Sequence, residues 1–169
     1  MFKKIYSINI VCIVEVGSMD KDSVGVSAWS MQLNSDLDVA IGQNELVHII
    51  HEPDLILVPK APEYCNQVLV WNENIIPVIN FHSYKSLKVK YDVKNAVVAV
   101  ILYKASGVYH YGALILQGIP MLLTVHNAQA CSVPATLSDY EDLFISCFST
   151  VDKRVLPVLN TNALFGGAL

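Results

Sequence analysis

The sequence predicts an all-β fold built from small β-barrels. Short apolar runs bounded by turn residues follow one another along the chain, and long segments with helical periodicity are nearly absent. A six-residue phrase also occurs twice, as residues 75–80 (IIPVIN) and 155–160 (VLPVLN). The two prolines are 80 positions apart (157 minus 77) in a chain of 169 residues, which indicates two equivalent halves.

Each copy of the phrase follows a polar turn and is typical of the second strand of a β-hairpin. Proline has no N–H to donate to a ladder, so its recurrence at one place indicates the same local constraint in both halves. We therefore expect residues 68–81 and 148–161 to form equivalent hairpins, one in each barrel. Val78 and Val158 should face inward at matching positions. The alternative is two unrelated apolar strands that both tolerate proline.

The other elements follow in chain order. Strands are predicted at 24–33, 37–41, 96–103, 109–116, 121–125 and 144–148. Residues 43–51 suit either one or two helical turns or an irregular strand, and the prolines at 53, 59 and 62 keep the next segment in loop or edge geometry. A polar, lysine-bearing connector spans residues 83–94. Residues 1–20 are predicted to be an N-terminal extension that precedes one domain of residues 21–169.

Composition narrows the class of function. The chain is 53% hydrophobic and 15% charged, so it can bury a core, and the excess apolarity predicts either two cores or a surface covered by another protein. A net charge of −4 with a single arginine, Arg154, offers no footprint for a phosphate backbone, so nucleic acid is not an expected partner. The apolar runs are too short to cross a bilayer, so membrane insertion is not expected either.

Residues able to carry catalysis or bind a metal are scattered. The four cysteines (Cys12, Cys65, Cys131, Cys147) lack the spacing of a zinc site and are expected to be buried free thiols in a reducing compartment. Of the five histidines only His48 and His51 are close, and Asp139, Glu141 and Asp142 are expected to line a solvated turn. The sequence therefore predicts no catalytic residues, no metal, no cofactor and no enzymatic activity.

An ordered set of motifs resembles the CheW-like adaptor domains of bacterial chemosensory systems. The matching segments are residues 47–50 (VHII), 58–64 (VPKAPEY), 68–80, 111–116 (YGALIL) and 151–164. They are similar to the family's V-x-E-I, P-x-A-P-x-(Y/F), N-L-R-G-x-(I/V)-(I/V)-P-V-(I/V)-D, G-L-x-V-D and D-G-x-x-x-x-L-L-D elements. The resemblance spans about residues 24–164 and rests on the order of these segments.

The resemblance implies two intertwined five-stranded SH3-like β-barrels with a hydrophobic groove between them. The first barrel would come mainly from residues 24–90 and the second mainly from residues 91–169. It also implies a cytoplasmic, non-enzymatic scaffold that couples the cytoplasmic tip of methyl-accepting chemoreceptors to the regulatory domain of a CheA-type histidine kinase, in chemotaxis or in type IV pilus systems.

The candidate protein-interaction residues come from the matched segments. They are Val47, Ile49, Ile50, Trp71, Asn72, Pro77 and Val78. Trp71 takes the place of the family's leucine in N-L-R-G, where it could anchor an interface or simply close the core.

Two charged family positions are altered together. Ile49 stands where V-x-E-I has glutamate, and Asn72 stands where N-L-R-G has arginine. Partner recognition is therefore expected to depend on shape and buried apolar area more than on charge. The alternative is a small-ligand-binding or structural β-barrel protein whose repeat merely reflects duplication. An exposed apolar groove would favour the adaptor, and a closed ligand pocket would favour the alternative.

Overall fold

The computed structural model describes residues 25–81 and 96–166, and within them it contains eleven strands and one short helix. The strands are β1 (Val26–Asn34), β2 (Leu37–Gly42), β3 (Leu46–His51), β4 (Leu55–Leu57), β5 (Gln67–Trp71), β6 (Asn74–Ile79), β7 (Val97–Ala105), β8 (Val108–Leu116), β9 (Met121–Val125), β10 (Phe144–Ser149) and β11 (Val155–Leu159). Helix α1 is Thr161–Gly166, and 3₁₀ turns lie at Glu63–Cys65, Asn127–Gln129 and Ala135–Leu143. Residues 46–51, for which the sequence left two possibilities open, form a strand.

The strands form two sheets, and each belongs to one SH3-like barrel. One sheet has the order β10-β11-β2-β1-β9 and is called here the five-stranded barrel. The other has the order β3-β7-β8-β6-β5-β4 and is called the six-stranded barrel. The predicted fold class is confirmed, with the short edge strand β4 added to the expected five strands of the second sheet.

The two halves of the chain exchange strands between the barrels. Strands β1 and β2 belong to the five-stranded barrel, but the chain then crosses over and β3 to β6 belong to the six-stranded barrel. The second half does the reverse, since β7 and β8 join the six-stranded barrel and β9 to β11 return to the first. Each half therefore contributes strands to both sheets, because it crosses over after its second strand, whereas the resemblance assigns the first barrel mainly to residues 24–90 and the second mainly to residues 91–169. The expected extension at residues 1–20 lies outside the described residues.

The first crossover is fixed by Glu45, which follows β2. One carboxylate oxygen accepts the Gly42 N–H at 2.7 Å, and the other accepts the Thr161 hydroxyl at 2.9 Å. The Glu45 carbonyl also accepts the Leu102 N–H at 2.8 Å. Because hydrogen bonds to a carboxylate are stronger than neutral ones, this residue ties both sheets and α1 to the crossover.

The repeated phrase occupies equivalent strands. In the six-stranded barrel Val78 begins a parallel pairing of β6 with β8, opposite Ala113. In the five-stranded barrel Val158 pairs in parallel with Ala40 of β2. In both copies the proline comes immediately before the residue at which parallel pairing is found, which explains why a missing N–H is tolerated there.

The predicted hairpins are therefore present, one in each barrel, as β5–β6 and β10–β11. Val78 is 1% exposed and lies in the interior of its barrel, as predicted. Val158 faces the interior of the other barrel but is only half-buried. The turns differ, because β5–β6 closes over two residues while β10–β11 closes over five, 150–154.

The molecule has three groups of buried side chains. The largest lies between the barrels and draws on both sheets, with Met31, Leu33 and Ile41 on one side and Ile101 and Leu114 on the other. The six-stranded barrel has its own interior of Leu69, Ile76, Val78, Val98, Val100, Ala113 and Ile115. The buried interior of the five-stranded barrel consists of Ala40, Phe148 and Leu156.

Strand register explains why the second interior is smaller. The pair Val98–Ile115 in the six-stranded barrel corresponds to the pair Ala28–Gly42 in the five-stranded one. Similarly, the pair Val100–Ala113 corresponds to Ser30–Ala40. Three branched side chains are thus replaced by small ones. One change goes the other way, because Phe148 takes the place of Leu69.

Gly112 makes room for the C-terminal helix. A Cβ at this position would lie 2.3 Å from the Phe165 ring, closer than real atoms approach. Phe165 is 1% exposed and stacks on Tyr103 with ring centroids 4.8 Å apart. Val39 occupies the corresponding position of the other sheet. The glycine therefore lets α1 close the core between the barrels.

Candidate functional site

The outer side of β4, β5 and β6 in the six-stranded barrel presents a continuous apolar surface. Side chains alternate between the two faces of a strand, so while Leu69, Ile76 and Val78 point inward their neighbours point outward. Register places Ile56 opposite Val68 and Val68 opposite Pro77, and it places Val70 opposite Ile75. We call these five residues the outer apolar face: Ile56, Val68, Val70, Ile75 and Pro77.

This outer apolar face is open to solvent. Ile75 is 74% exposed, Val70 56% and Ile56 50%, while Val68 and Pro77 are half-buried. Side chains directly opposite each other in an antiparallel pair have Cβ atoms about 5 Å apart, so the five form one patch. Contiguous exposed apolar patches mark sites that bind another protein, a membrane or a ligand.

The local sequence holds this face in place. Asn72 and Glu73 form the β5–β6 turn with φ of 46° and 64°, the left-handed conformation that two-residue hairpin turns require. The side-chain amide of Asn74 donates to the Asn72 carbonyl at 2.8 Å. At the opposite edge, the Val58 N–H donates to the Asn66 carbonyl at 2.7 Å, which extends the pairing of β4 with β5.

The corresponding surface of the five-stranded barrel is different. Cys147 and Pro157 take the places of Val68 and Pro77, and both are buried. Ser149 replaces Val70, and Val155 replaces Ile75 with 40% exposure. At the positions equivalent to the outer apolar face, this hairpin therefore offers a smaller and less apolar surface, although Ile145 of β10 and Val151 of the turn are 66% and 93% exposed.

The seven predicted interaction residues lie in several different environments. Pro77 belongs to the outer apolar face, and Asn72 is exposed at the turn beside it. Val78 is 1% exposed, so it has no surface to offer a partner. Ile50 packs against the interior of the six-stranded barrel. These differences arise because adjacent residues of a strand face opposite ways.

Ile49 and Val47 lie on β3, away from the outer apolar face. Ile49 is half-buried against the core between the barrels, together with Trp29 and Leu46. Val47 is 40% exposed at an irregularity of register between Leu46 and His48. Ile49 thus packs where the two barrels meet.

Trp71 closes one end of the six-stranded barrel. It is half-buried, packs against the barrel interior, and meets Tyr111 edge to face with centroids 5.1 Å apart. The ring centroid of His48 lies 6.2 Å from that of Trp71. Of the two roles considered from sequence, this placement favours core closure. At the equivalent end of the other barrel Asp38 and Arg154 form an ion pair of 3.4 Å.

Groups able to carry chemistry are dispersed in the described part of the chain. Within residues 25–81 and 96–166, no cluster of three or more His, Cys, Asp or Glu side chains could hold a metal ion. His48 and His51 lie three apart on a strand and so point to opposite faces. Asp142 is exposed, as expected of a solvated turn. Among these same residues, no helix is long and apolar enough to cross a membrane.

Sequence reasoning missed four residues of the outer apolar face: Ile56, Val68, Val70 and Ile75. The signal was present, because residues 68–71 and 75–79 are apolar at every position. An uninterrupted apolar strand has two apolar faces, which is typical of a strand buried on both sides. Only the position of β5 and β6 near the edge of the sheet shows that one face meets solvent.

Comparisons with known proteins agree with this architecture. The CheW-like domain profile matches residues 27–168. A crystal structure of the scaffolding protein TtCheW from Thermoanaerobacter tengcongensis is similar, with a TM-score of 0.66 and 13% sequence identity. The match covers 81% of this chain and 90% of that chain. A comparison with curated proteins by sequence gave no match.

Proposed function

The chain belongs to the CheW-like domain family, and we propose that it is a chemosensory adaptor that binds protein partners through the outer apolar face of the six-stranded barrel. Proteins of this family are non-enzymatic scaffolds, which confirms the expectation that the chain is not an enzyme. The comparisons also support a scaffold role in chemosensory signalling in general terms. The particular partners and contact residues are our proposal.

The proposed partners are a chemoreceptor and a histidine kinase. The chain would bridge the cytoplasmic tip of a methyl-accepting receptor and the regulatory domain of a CheA-type kinase, in either flagellar chemotaxis or type IV pilus-driven motility. A cytoplasmic location follows from those partners. The observation that carries the proposal is the apolar surface of Ile56, Val70 and Ile75, which a protein partner would remove from water.

The electrostatics of the proposed contact are unusual for an adaptor of this family. All five residues of the outer apolar face are uncharged, and Asn72 beside it is neutral where the family has arginine. Salt screens exposed charges and hardly affects apolar burial. Binding to the chain's own partners should therefore be comparatively insensitive to salt.

A titration tests the proposal. The purified chain would be titrated by calorimetry with a receptor tip and a kinase regulatory domain from its own organism, and then with the same pair from a standard chemotaxis system. We expect the own-organism affinities to change by less than about threefold between ~0.05 and ~0.5 M salt, and the standard pair to bind weakly because its charged groups would be desolvated without a mate. Tight, strongly salt-dependent binding to the standard pair would contradict the proposal.

A small-ligand-binding role has weaker support. A depression of about 590 Å³ lies at the rim of the five-stranded barrel, lined by Thr124, His126, Gln129, Cys131, Ser149 and others. Ligand pockets are mostly apolar and enclose their ligand. This depression is wide open to solvent, so it would not enclose a ligand. It is therefore a weaker candidate than the outer apolar face.

A further inference from the structure

Two cysteines face each other across neighbouring segments of the five-stranded barrel. Ala130 forms an antiparallel bridge with Phe148, which places Cys131 directly opposite Cys147. The Cys131 N–H donates to the Cys147 carbonyl at 3.0 Å. Opposite residues that share a backbone hydrogen bond in an antiparallel pair have Cα atoms about 5.5 Å apart, and a disulfide needs a Cα separation of about 4.4–6.8 Å. The backbone therefore already holds this pair at disulfide distance.

The six-stranded barrel carries other residues at the positions equivalent to this cysteine pair. Register gives the row Cys131, Cys147 and Pro157 in the five-stranded barrel. Its counterpart in the six-stranded barrel is the row Ile56, Val68 and Pro77. The backbone arrangement that carries an apolar row in one barrel thus carries two thiols in the other.

The two thiols have different surroundings, which gives them different roles. Cys131 is exposed and lines the depression at the barrel rim, whereas Cys147 is buried. Exposed Cys131 departs from the expectation that all the cysteines are buried. Burial raises the pKa of Cys147 to about 12, helped by its side-chain hydrogen bond to Cys131 and by the charge of that neighbour. Cys147 therefore keeps its proton while Cys131 meets the solvent.

We propose that Cys131 and Cys147 form a reversible dithiol–disulfide pair that a hydroperoxide oxidises. In the first step the Cys131 thiolate attacks one peroxide oxygen, the O–O bond breaks, and the leaving hydroxide takes a proton to become water, which leaves Cys131 as a sulfenic acid. In the second step the Cys147 sulfur attacks the Cys131 sulfur, and the S–OH bond breaks. The departing hydroxide takes the Cys147 proton, so two thiols and one hydrogen peroxide give one disulfide and two waters.

The closed disulfide would join the segment at 130–131 covalently to β10. It would cross-link the chain across the 3₁₀ turn Ala135–Leu143, and a cross-link that restricts the unfolded chain stabilises the folded one. A dithiol reductant should reverse the reaction. This inference is independent of the proposed adaptor function, because it rests on the five-stranded barrel alone.

The test is residue-resolved thiol mapping of the full chain. The reduced protein would be exposed to hydrogen peroxide, quenched, alkylated after unfolding and mapped by mass spectrometry, with a second sample reduced by dithiothreitol before alkylation. Cys65, half-buried against the core between the barrels with a pKa raised by burial, serves as the internal control. Because Cys131 is exposed, Cys131→Ser should fold normally and supplies the matched variant.

We expect Cys131 and Cys147 to lose alkylation together and to appear in a linked peptide that is lighter by two hydrogens. Dithiothreitol should restore the alkylation of both residues in full. The oxidised protein should have a higher melting temperature than the reduced one. In Cys131→Ser, Cys147 should stay a free thiol and the melting temperature should not change on oxidation. Oxidation of Cys131 to sulfinic acid while Cys147 stays reduced would overturn the proposal. Loss of the free Cys65 thiol at the same rate as the Cys131 and Cys147 thiols would also overturn the proposal.

Discussion

The two barrels share one strand order but differ on both faces of their equivalent hairpins. Inside, the six-stranded barrel is filled by branched aliphatic residues, whereas the five-stranded one has Ala28, Ser30 and Gly42 at three of the same positions. Outside, one hairpin leaves aliphatic side chains in solvent, and the other buries Cys147 and Pro157. Backbone pairing therefore survived the divergence of the two halves while the side chains took separate roles.

The difference between the interiors has a local cause in the crossover. A Cβ on Gly42 would lie 3.3 Å from the Glu45 carboxylate oxygen. The carboxylate that fixes the first crossover thus takes part of the space that Ile115 fills in the other barrel. Phe148, in the place of Leu69, supplies apolar volume to the five-stranded interior.

The largest expected effect separates the two copies of the repeated valine. Val78→Asp would bury an unpaired charge in a filled interior, so we expect it to lower the free energy of unfolding by more than about 4 kcal/mol or to prevent folding. Val158→Asp, at a half-buried site, should cost only about 1–3 kcal/mol because the carboxylate can reach water. Urea unfolding followed by circular dichroism measures both. Equal losses would contradict the difference between the interiors.

A second substitution tests the core where the barrels meet. Gly112→Ala should lower the free energy of unfolding by about 1–3 kcal/mol, because its methyl group overlaps the Phe165 ring. In a double-mutant cycle, Phe165→Leu should relieve part of that loss. As a control, Val39→Ala shortens the side chain at the equivalent position of the other sheet. It should leave a cavity, and Phe165→Leu should not reduce the resulting loss of stability. If the losses of unfolding free energy for Gly112→Ala and Phe165→Leu were additive, Gly112 would not be needed to accommodate the Phe165 ring.

The smallest expected effect concerns Phe148. Phe148→Leu should cost about 1 kcal/mol, because the five-stranded barrel lacks the branched residues that surround Leu69 in the other. Adding Ala28→Val should recover part of the loss, whereas Ala28→Val alone should be neutral or destabilising. Calorimetric melting of the three variants decides this. If Ala28→Val alone stabilised the protein, the interior of the five-stranded barrel would contain unfilled space, which would contradict this account.

Much of this fold could be predicted from the sequence. The repeated phrase gave the two hairpins, and the turn residues gave β9 (Met121–Val125) with its observed limits. The resemblance implied intertwined barrels, but which strands are exchanged could not be predicted, because the pairing of β1 with β9 joins residues almost a hundred positions apart and leaves no local pattern.

The candidate site was predicted less well than the fold. Asn72 and Pro77 lie on the surface hairpin, but Val78, predicted as an interaction residue beside Pro77, points to the opposite side of β6. Alternation along a strand is certain, but which face meets solvent depends on what the neighbouring sheet covers. That depends on the tertiary structure, and so Ile75 and Val70 are absent from the predicted interaction residues.

The most direct test of the account compares Ile75→Lys with Val155→Lys, a matched pair at equivalent positions of the two hairpins. Both side chains already meet solvent, so neither change should alter the melting temperature appreciably. Affinity for the chain's own kinase regulatory domain and receptor tip would be measured by calorimetry for both variants. We predict that Ile75→Lys weakens binding to at least one partner by about tenfold or more, whereas Val155→Lys binds both partners like the natural protein. Unchanged binding by Ile75→Lys, or an equal loss in Val155→Lys, would contradict the claim that the outer apolar face of the six-stranded barrel is the docking surface.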